Sequence, residues 1–175
     1  MVLAATQMTA EADPLELRNL LELTKAQMAA LSALKVSDHQ EFLGGSFLES
    51  LTAWNEGPSS HVLGHCFMSG SEPVGLTLFK RPPLSPDWVP SYAVSLHGLK
   101  IATPWQGQGL GQKACRLAID QLQRDWPAST VLMLAADAEN AAALTVYRSM
   151  GMTDSGPIFD GNHGLEHRLH LSLPP

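Results

Sequence analysis

Along the 175-residue chain, apolar positions fall into runs of two kinds. Some alternate or run continuously, as a strand demands; others recur every three or four residues, as a helix face demands. After a weakly patterned extension, residues 1–16, the run Leu17–Leu23 reads as a first strand. Thr24-Lys-Ala-Gln27 has the form of a capping box, and Met28, Leu31 and Leu34 then make a helical stripe. Ser37-Asp-His-Gln40 is a second capping box. Gly44-Gly45 ends that short helix, and Ser46 caps another through Phe47, Leu48, Leu51 and Trp54. Asn55–Ser60 is a turn cluster. His61–Ser69 and Pro73–Lys80 are strands separated by Gly-Ser-Glu, a hairpin signal. Arg81–Pro90 is too rich in proline for a sheet interior. Ser91–Ile101 is again strand-like, and a helix runs from Gly109 to about Arg124, stopped by Trp126-Pro127.

Thr130–Ala135 is a continuous apolar run, the pattern of a buried parallel strand. Asn140–Met150 is helical and closed by Gly151. Thr153–Leu173 holds two weaker strands around Asp160–Gly164. Strands and helices in this order predict one α/β domain, residues 17–175, with a mixed sheet and helices on both faces.

The stretch between the strand at Ser91–Ile101 and the following helix carries the clearest chemistry. Gly107, Gly109 and Gly111 alternate with Gln and Leu. Glycines permit positive φ and clear side chains from the main chain. The first N–H groups of the helix lack intrahelical partners, and the macrodipole makes that end positive. Such a turn suits phosphate. The string is not a P-loop, which needs Gly-Lys followed by Ser or Thr. It is not a dinucleotide fingerprint either, since position 112 is Gln where Gly-x-Gly-x-x-Gly needs its last glycine. A tight loop that binds nothing is the plain alternative.

Gln106-Gly107-Gln108-Gly109-Leu110-Gly111 resembles the Arg/Gln-x-x-Gly-x-Gly/Ala signature of the GNAT superfamily of N-acetyltransferases. Asn140-Ala-Ala-Ala-Leu-Thr-Val-Tyr147-Arg-Ser-Met-Gly151 resembles the family's Asn-x6-Tyr-x3-Gly helix. The resemblance covers residues 97–151 as motif and about 17–173 as architecture. It implies a GNAT-like, mostly antiparallel central sheet and acetyl-CoA as co-substrate. It implies that Leu99, Lys100 and Ile101 pair with the pantetheine arm. The loop amides of Gln106, Gly107, Gln108, Gly109, Leu110, Gly111 and Gln112 would hold the pyrophosphate, with Asn140 on the pantetheine and Tyr147 beside the sulfur. Leu34–Phe42 is similar to the opening of spermidine and diamine acetyltransferases. That branch carries an acidic residue where this chain has Ala102.

Acetyl transfer to an amine needs a neutral nucleophile and a proton for the departing thiolate. The resemblance makes Tyr147 the acid. A phenol titrates near pH ~10 and so carries a proton at neutral pH; a core tyrosine is the ordinary alternative. His97 is the candidate base, since imidazole titrates near ~6.5, or else a histidine bonded to backbone. Asn140 either touches pantetheine or caps its helix. His163, His167 and His170 do not share a strand face, and no metal site is expected. Cys115 reads as packing. The carboxylates Asp38, Glu41, Glu49 and Glu56 lie on the early helices, which in the family flank the acceptor. The segments 37–60, 81–91 and 156–164 would set its identity.

Composition narrows the class. Hydrophobic residues make up 45% of the chain and charged residues 16%, with net charge −6. That argues against nucleic acid and for a neutral or cationic small partner. Two cysteines make no disulfide framework, and a reducing cytoplasm is the expected home. The N-terminal residues lack the basic n-region of a signal peptide, and no apolar run spans a bilayer. The expected activity is acetyl-CoA-dependent N-acetylation of a primary amine, a small polyamine-like molecule. Protein or peptide N-acetylation and a non-catalytic acyl-CoA-binding regulatory module are the rivals. The resemblance also admits a homodimer.

Overall fold

A computed structural model describes residues 13–174. The expected extension lies mostly outside the described residues. The first strand, β1, is Leu15–Asn19, two residues earlier than the sequence pattern suggests. The Asn19 side chain accepts the Leu21 N–H at 2.9 Å, which turns the chain into a short 3-10 helix at Leu20–Glu22. An Asn in a leucine-rich run offers the backbone this local partner and ends the strand.

Three short helices follow, α1 (Lys25–Ser32), α2 (Asp38–Gly44) and α3 (Phe47–Trp54). Each opens with a two-way capping box, Thr24 with Gln27, Ser37 with Gln40 and Ser46 with Glu49. Each box is worth about 1 kcal/mol. The remaining elements are β2 (Val62–Ser69), β3 (Glu72–Lys80), β4 (Ala93–Ile101), α4 (Leu110–Asp125), β5 (Val131–Asp137), α5 (Ala141–Ser149), β6 (Thr153–Gly161) and β7 (Gly164–Ser172). A 3-10 turn at Thr103–Trp105 links β4 to the glycine loop.

The seven strands form one sheet in the order β1-β2-β3-β4-β5-β7-β6, antiparallel everywhere except between β4 and β5. Each face has its own core. On one, Phe67, Phe79, Leu132 and Leu169 pack against Ala118 and Leu122 of α4 and Leu144 of α5. On the other, Cys66, Met68, Leu76 and Leu78 pack against Leu31 of α1 and Phe47 and Leu51 of α3.

Two irregularities shape the centre of the sheet. First, β4 pairs with β5 only over Ala93–Ser95 and Val131–Met133, after which the strands part. β5 is parallel to β4, as expected, but only over that stretch, and it is not buried throughout. Its burial alternates, and it lies antiparallel to β7 along its whole length. Second, β4 carries a bulge. Leu78 faces His97 and Leu76 faces Lys100, so two steps on β3 match three on β4. Val94 and Leu96 before the bulge, and Ile101 and Leu99 after it, therefore reach the same core. Gly98 takes φ +60° at this point, and a Cβ there would lie 2.9 Å from Ser50 Oγ. Backbone conformation and close approach both call for glycine.

Candidate active site

Where β4 and β5 part, a cleft of about 590 Å³ opens between them. Its walls are Leu99, Lys100 and Ile101 of β4, Ala135–Asp137 of β5, and the loop into α4. Of the residues expected around a cofactor, Gln106, Gly107, Gly109, Leu110, Gly111, Gln112, Asn140 and Tyr147 also line it, while Gln108 does not. Gly107 and Gly109 take φ +75° and +73°, and a Cβ on either would meet nothing. Both positions border open space. Gly109 is the N-cap of α4, and no side chain caps that helix. The starts of α1, α2, α3 and α5 are all capped by side chains, Thr24, Ser37, Ser46 and Asn140. The first N–H groups of α4, a 16-residue helix, are therefore open to a ligand, at the positive end of the dipole.

Several side chains around the cleft are already engaged within the protein. The Gln106 side-chain amide donates to the Ile101 carbonyl at 2.7 Å and exchanges hydrogen bonds with the Gln40 side chain, and its main-chain N–H, expected on the pyrophosphate, donates to the Thr103 carbonyl at 3.2 Å. The Lys100 ammonium donates to the carbonyls of Gly44, Gly45 and Ser46 at 3.0, 2.6 and 3.1 Å. Burial pulls its pKa down to about 8, against the carboxylates of Glu49 and Glu41. Asn140 accepts the Ala143 N–H at 3.2 Å, so capping accounts for its side-chain carbonyl.

A second chamber of about 1090 Å³ adjoins the first. The two share Leu43, Gly44, Gly45, Gly98, Ala135 and Tyr147 as a common wall. Tyr147 comes from α5, is buried, and has no side-chain hydrogen bond among the described residues. Burial, with the nearby Cys115 thiol, pushes its phenol well above the ordinary value, so it keeps its proton. Burial likewise pushes the Cys115 thiol up to about 12, which makes it packing and not a nucleophile.

His97 lines the second chamber. Its Nε2 lies 2.7 Å from Ser95 Oγ, which also reaches the Lys80 carbonyl. Burial first, then the Lys80 ammonium, pulls its pKa to about 4, against Glu56. The sequence led to a value near ~6.5. The imidazole is instead neutral, and a weaker base than that value implies.

The second chamber is acidic. Asp38, Glu41, Glu49, Asp160 and Glu166 line it against one guanidinium, Arg168. Glu56 does not; it is held at 2.7 Å by Lys80. Glu49 accepts the Ser46 N–H, and its hydrogen bonding to Ser46 lowers its pKa. Arg168 sits over the rings of Trp88 and Phe159 and reaches Glu166 at 3.3 Å. The expected segments supply part of this wall, among them Trp88 and His163. Glu166 and Arg168 on β7 escaped sequence reasoning, because strand alternation alone does not tell a solvated charge from one in a cavity.

Of the three late histidines, His163 stacks on Phe42 with centroids 4.1 Å apart, and His167 bonds Asp154 at 2.8 Å. Among the described residues, no group of three His, Cys, Asp or Glu side chains is placed to hold a metal ion. No helix of the described residues is long and apolar enough to cross a membrane.

Solved structures share this architecture. The aminoglycoside acetyltransferase AAC(6')-Ib in complex with coenzyme A superposes with a TM-score of 0.69 at 19% identity, covering 91% of this chain and 95% of that one. The spermidine N-acetyltransferase from Vibrio cholerae, with CoA and spermine, gives 0.67 at 16% identity over 90% and 95%. The ribosomal-protein-S18-alanine N-acetyltransferase from Escherichia coli gives 0.59 at 20% identity over 92% and 94%. At these identities the likeness speaks for the fold. No curated protein sequence matches the chain. The model of one sequence family spans residues 28–152, from α1 through the glycine loop to the end of α5, and by that match the chain belongs to the Acetyltransferase (GNAT) family.

Proposed function

We propose that this single-domain protein transfers the acetyl group of acetyl-CoA to a cationic primary amine by direct attack in a ternary complex. The observation that carries this reading is the meeting of two unlike chambers at Tyr147. Structures of similar fold hold coenzyme A, and one holds spermine beside it.

The first chamber fits the cofactor. Open glycine backbone at Gly107 and Gly109 and the uncapped start of α4 suit a pyrophosphate. The edge of β4 at Leu99–Ile101, unpaired toward β5, suits the amides of a pantetheine arm. Bound acetyl-CoA supplies the acetyl group as a thioester. Tyr147, protonated and at the common wall, donates a proton to the sulfur as it leaves. Neutral His97 accepts the amine's proton, directly or through water.

The second chamber favours cations, and its volume leaves room for several ammonium groups. Its carboxylates attract the acceptor, yet a carboxylate beside the reacting nitrogen would keep that nitrogen charged. The acidic groups therefore serve the amine's far end, as a diamine or polyamine provides. A panel of spermidine, putrescine, a neutral arylalkylamine and a short peptide, followed by CoA release, tests this at low and high salt. Spermidine is expected to lead, with kcat/KM falling at high salt as screening shortens the attraction. Preference for the peptide or the arylalkylamine, or indifference to salt, would remove the polyamine acceptor.

A further inference from the structure

Helix α2 is an improbable structure by hydrophobic criteria. It has seven residues and buries none of them. A helix this short does not persist on its own. It nevertheless carries Asp38, Glu41 and Phe42 into the second chamber, and its end, Leu43–Gly45, forms part of the wall common to both.

Polar ties hold it, and they converge on one place. Before its start, the Lys35 carbonyl accepts the Thr103 N–H at 2.9 Å. In its first turn, Gln40 exchanges hydrogen bonds with Gln106. At its end, the ammonium of Lys100 gathers the carbonyls of Gly44 and Gly45, which a helix C-terminus leaves unpaired, and that of Ser46, the N-cap of α3. All three ties reach residues 100–106, the strand end and loop that wall the first chamber. A cation at this end also complements the helix dipole.

We propose that Lys100 and Gln106 are positioning residues that fasten α2 to the cofactor cleft, so that filling the cleft orders the acidic wall of the acceptor chamber. The inference rests on reading that cleft as the acetyl-CoA site. A ligand lying along Leu99–Ile101 and the glycine loop steadies the groups to which α2 is tied, and α2 is steadied with them. The acceptor then meets a better-ordered pocket when the cofactor is bound, a coupling that works equally in the reverse direction.

Hydrogen exchange with coenzyme A as the probe tests this. In the wild type, CoA should slow exchange at residues 39–46 at least tenfold, together with the loop at 107–113. Lys100→Met should speed exchange at 39–46 at least tenfold without CoA and leave β2 and β3 unchanged. In that variant CoA should still protect the loop but no longer α2. Lys100→Arg, which keeps a charged donor, should restore most of the effect. If Lys100→Met does not fold, Gln106→Met reads the same loss of CoA-linked protection with the ammonium in place. CoA that binds by calorimetry yet leaves α2 unprotected in the wild type would overturn the coupling alone. Absence of CoA binding would overturn the functional reading and the coupling with it. Unchanged α2 exchange in Lys100→Met would overturn the anchor.

Discussion

The two chambers are built on opposite plans. The first presents main chain: glycines, the open start of a helix and the unpaired edge of a strand. The second presents side chains, drawn from α2, α3, the Pro86–Trp88 loop, β4 and the β6–β7 hairpin. A backbone site recognises what all its ligands share, such as phosphates and amides. A side-chain site selects among them. Changes in the first chamber should therefore act on cofactor affinity, and changes in the second on the acceptor and its protons.

The largest effect is expected at Gly109. Gly109→Glu places a side chain at φ +73°, a conformation costing about 1–2 kcal/mol, and adds a negative charge where phosphate would sit. Acetyl-CoA affinity by calorimetry should fall at least ~100-fold. Undiminished affinity in a folded variant would refute the backbone plan. Tyr147→Phe comes next, because it alters the wall common to both chambers. kcat should fall on the order of ~10²-fold with acetyl-CoA affinity nearly unchanged; near-normal turnover would make Tyr147 a core residue only.

His97→Ala should have a smaller effect, roughly tenfold on kcat/KM or less, since a weak base has less to contribute. Its signature is in pH. On the proposed mechanism the neutral imidazole is the working form, so wild-type activity should decline as pH falls through about 4, and the variant should lack that limb. Stability follows the same sign. With a folded pKa of about 4 against 6.5 unfolded, the unfolded chain binds more protons between them. His97's contribution is then whole above 6.5 and lost as pH falls toward 4. Urea titrations of the two proteins across that window would show it, and identical curves would mean that His97 is not buried as described.

The contrast also explains what could be read before the fold was known. Backbone sites leave local marks. The spacing of Gly107, Gly109 and Gly111, the Asn140–Tyr147 helix and the capping boxes at Thr24 and Ser37 all lie within short windows, because each does its work there. The wall of the second chamber does not. Glu166 of β7 and Asp38 of α2 line one chamber only because the fold sets their elements around it, and no periodicity announces that. Lys100 read as one more strand residue, since its three carbonyl partners lie more than 50 residues away. His97 was legible as a candidate, but its pKa was not, because burial belongs to the fold. Glu56, expected on an early helix, lies instead in the turn after α3, where Lys80 of β3 holds it.

An open sheet ordinarily has two edges, here β1 and β6. Parting β4 from β5 creates two more inside the molecule. Bare strand edges are hazardous, because their unpaired N–H and C=O groups recruit strands from other chains and seed aggregation. These inner edges line a cleft of about 590 Å³, the scale of a small ligand and not of a protein hairpin. The groups that outside would make the protein adhesive are thus open only to something thin and linear. The sheet keeps its stickiness and confines it by a size filter, and no charged gatekeeper or proline is needed on either inner edge.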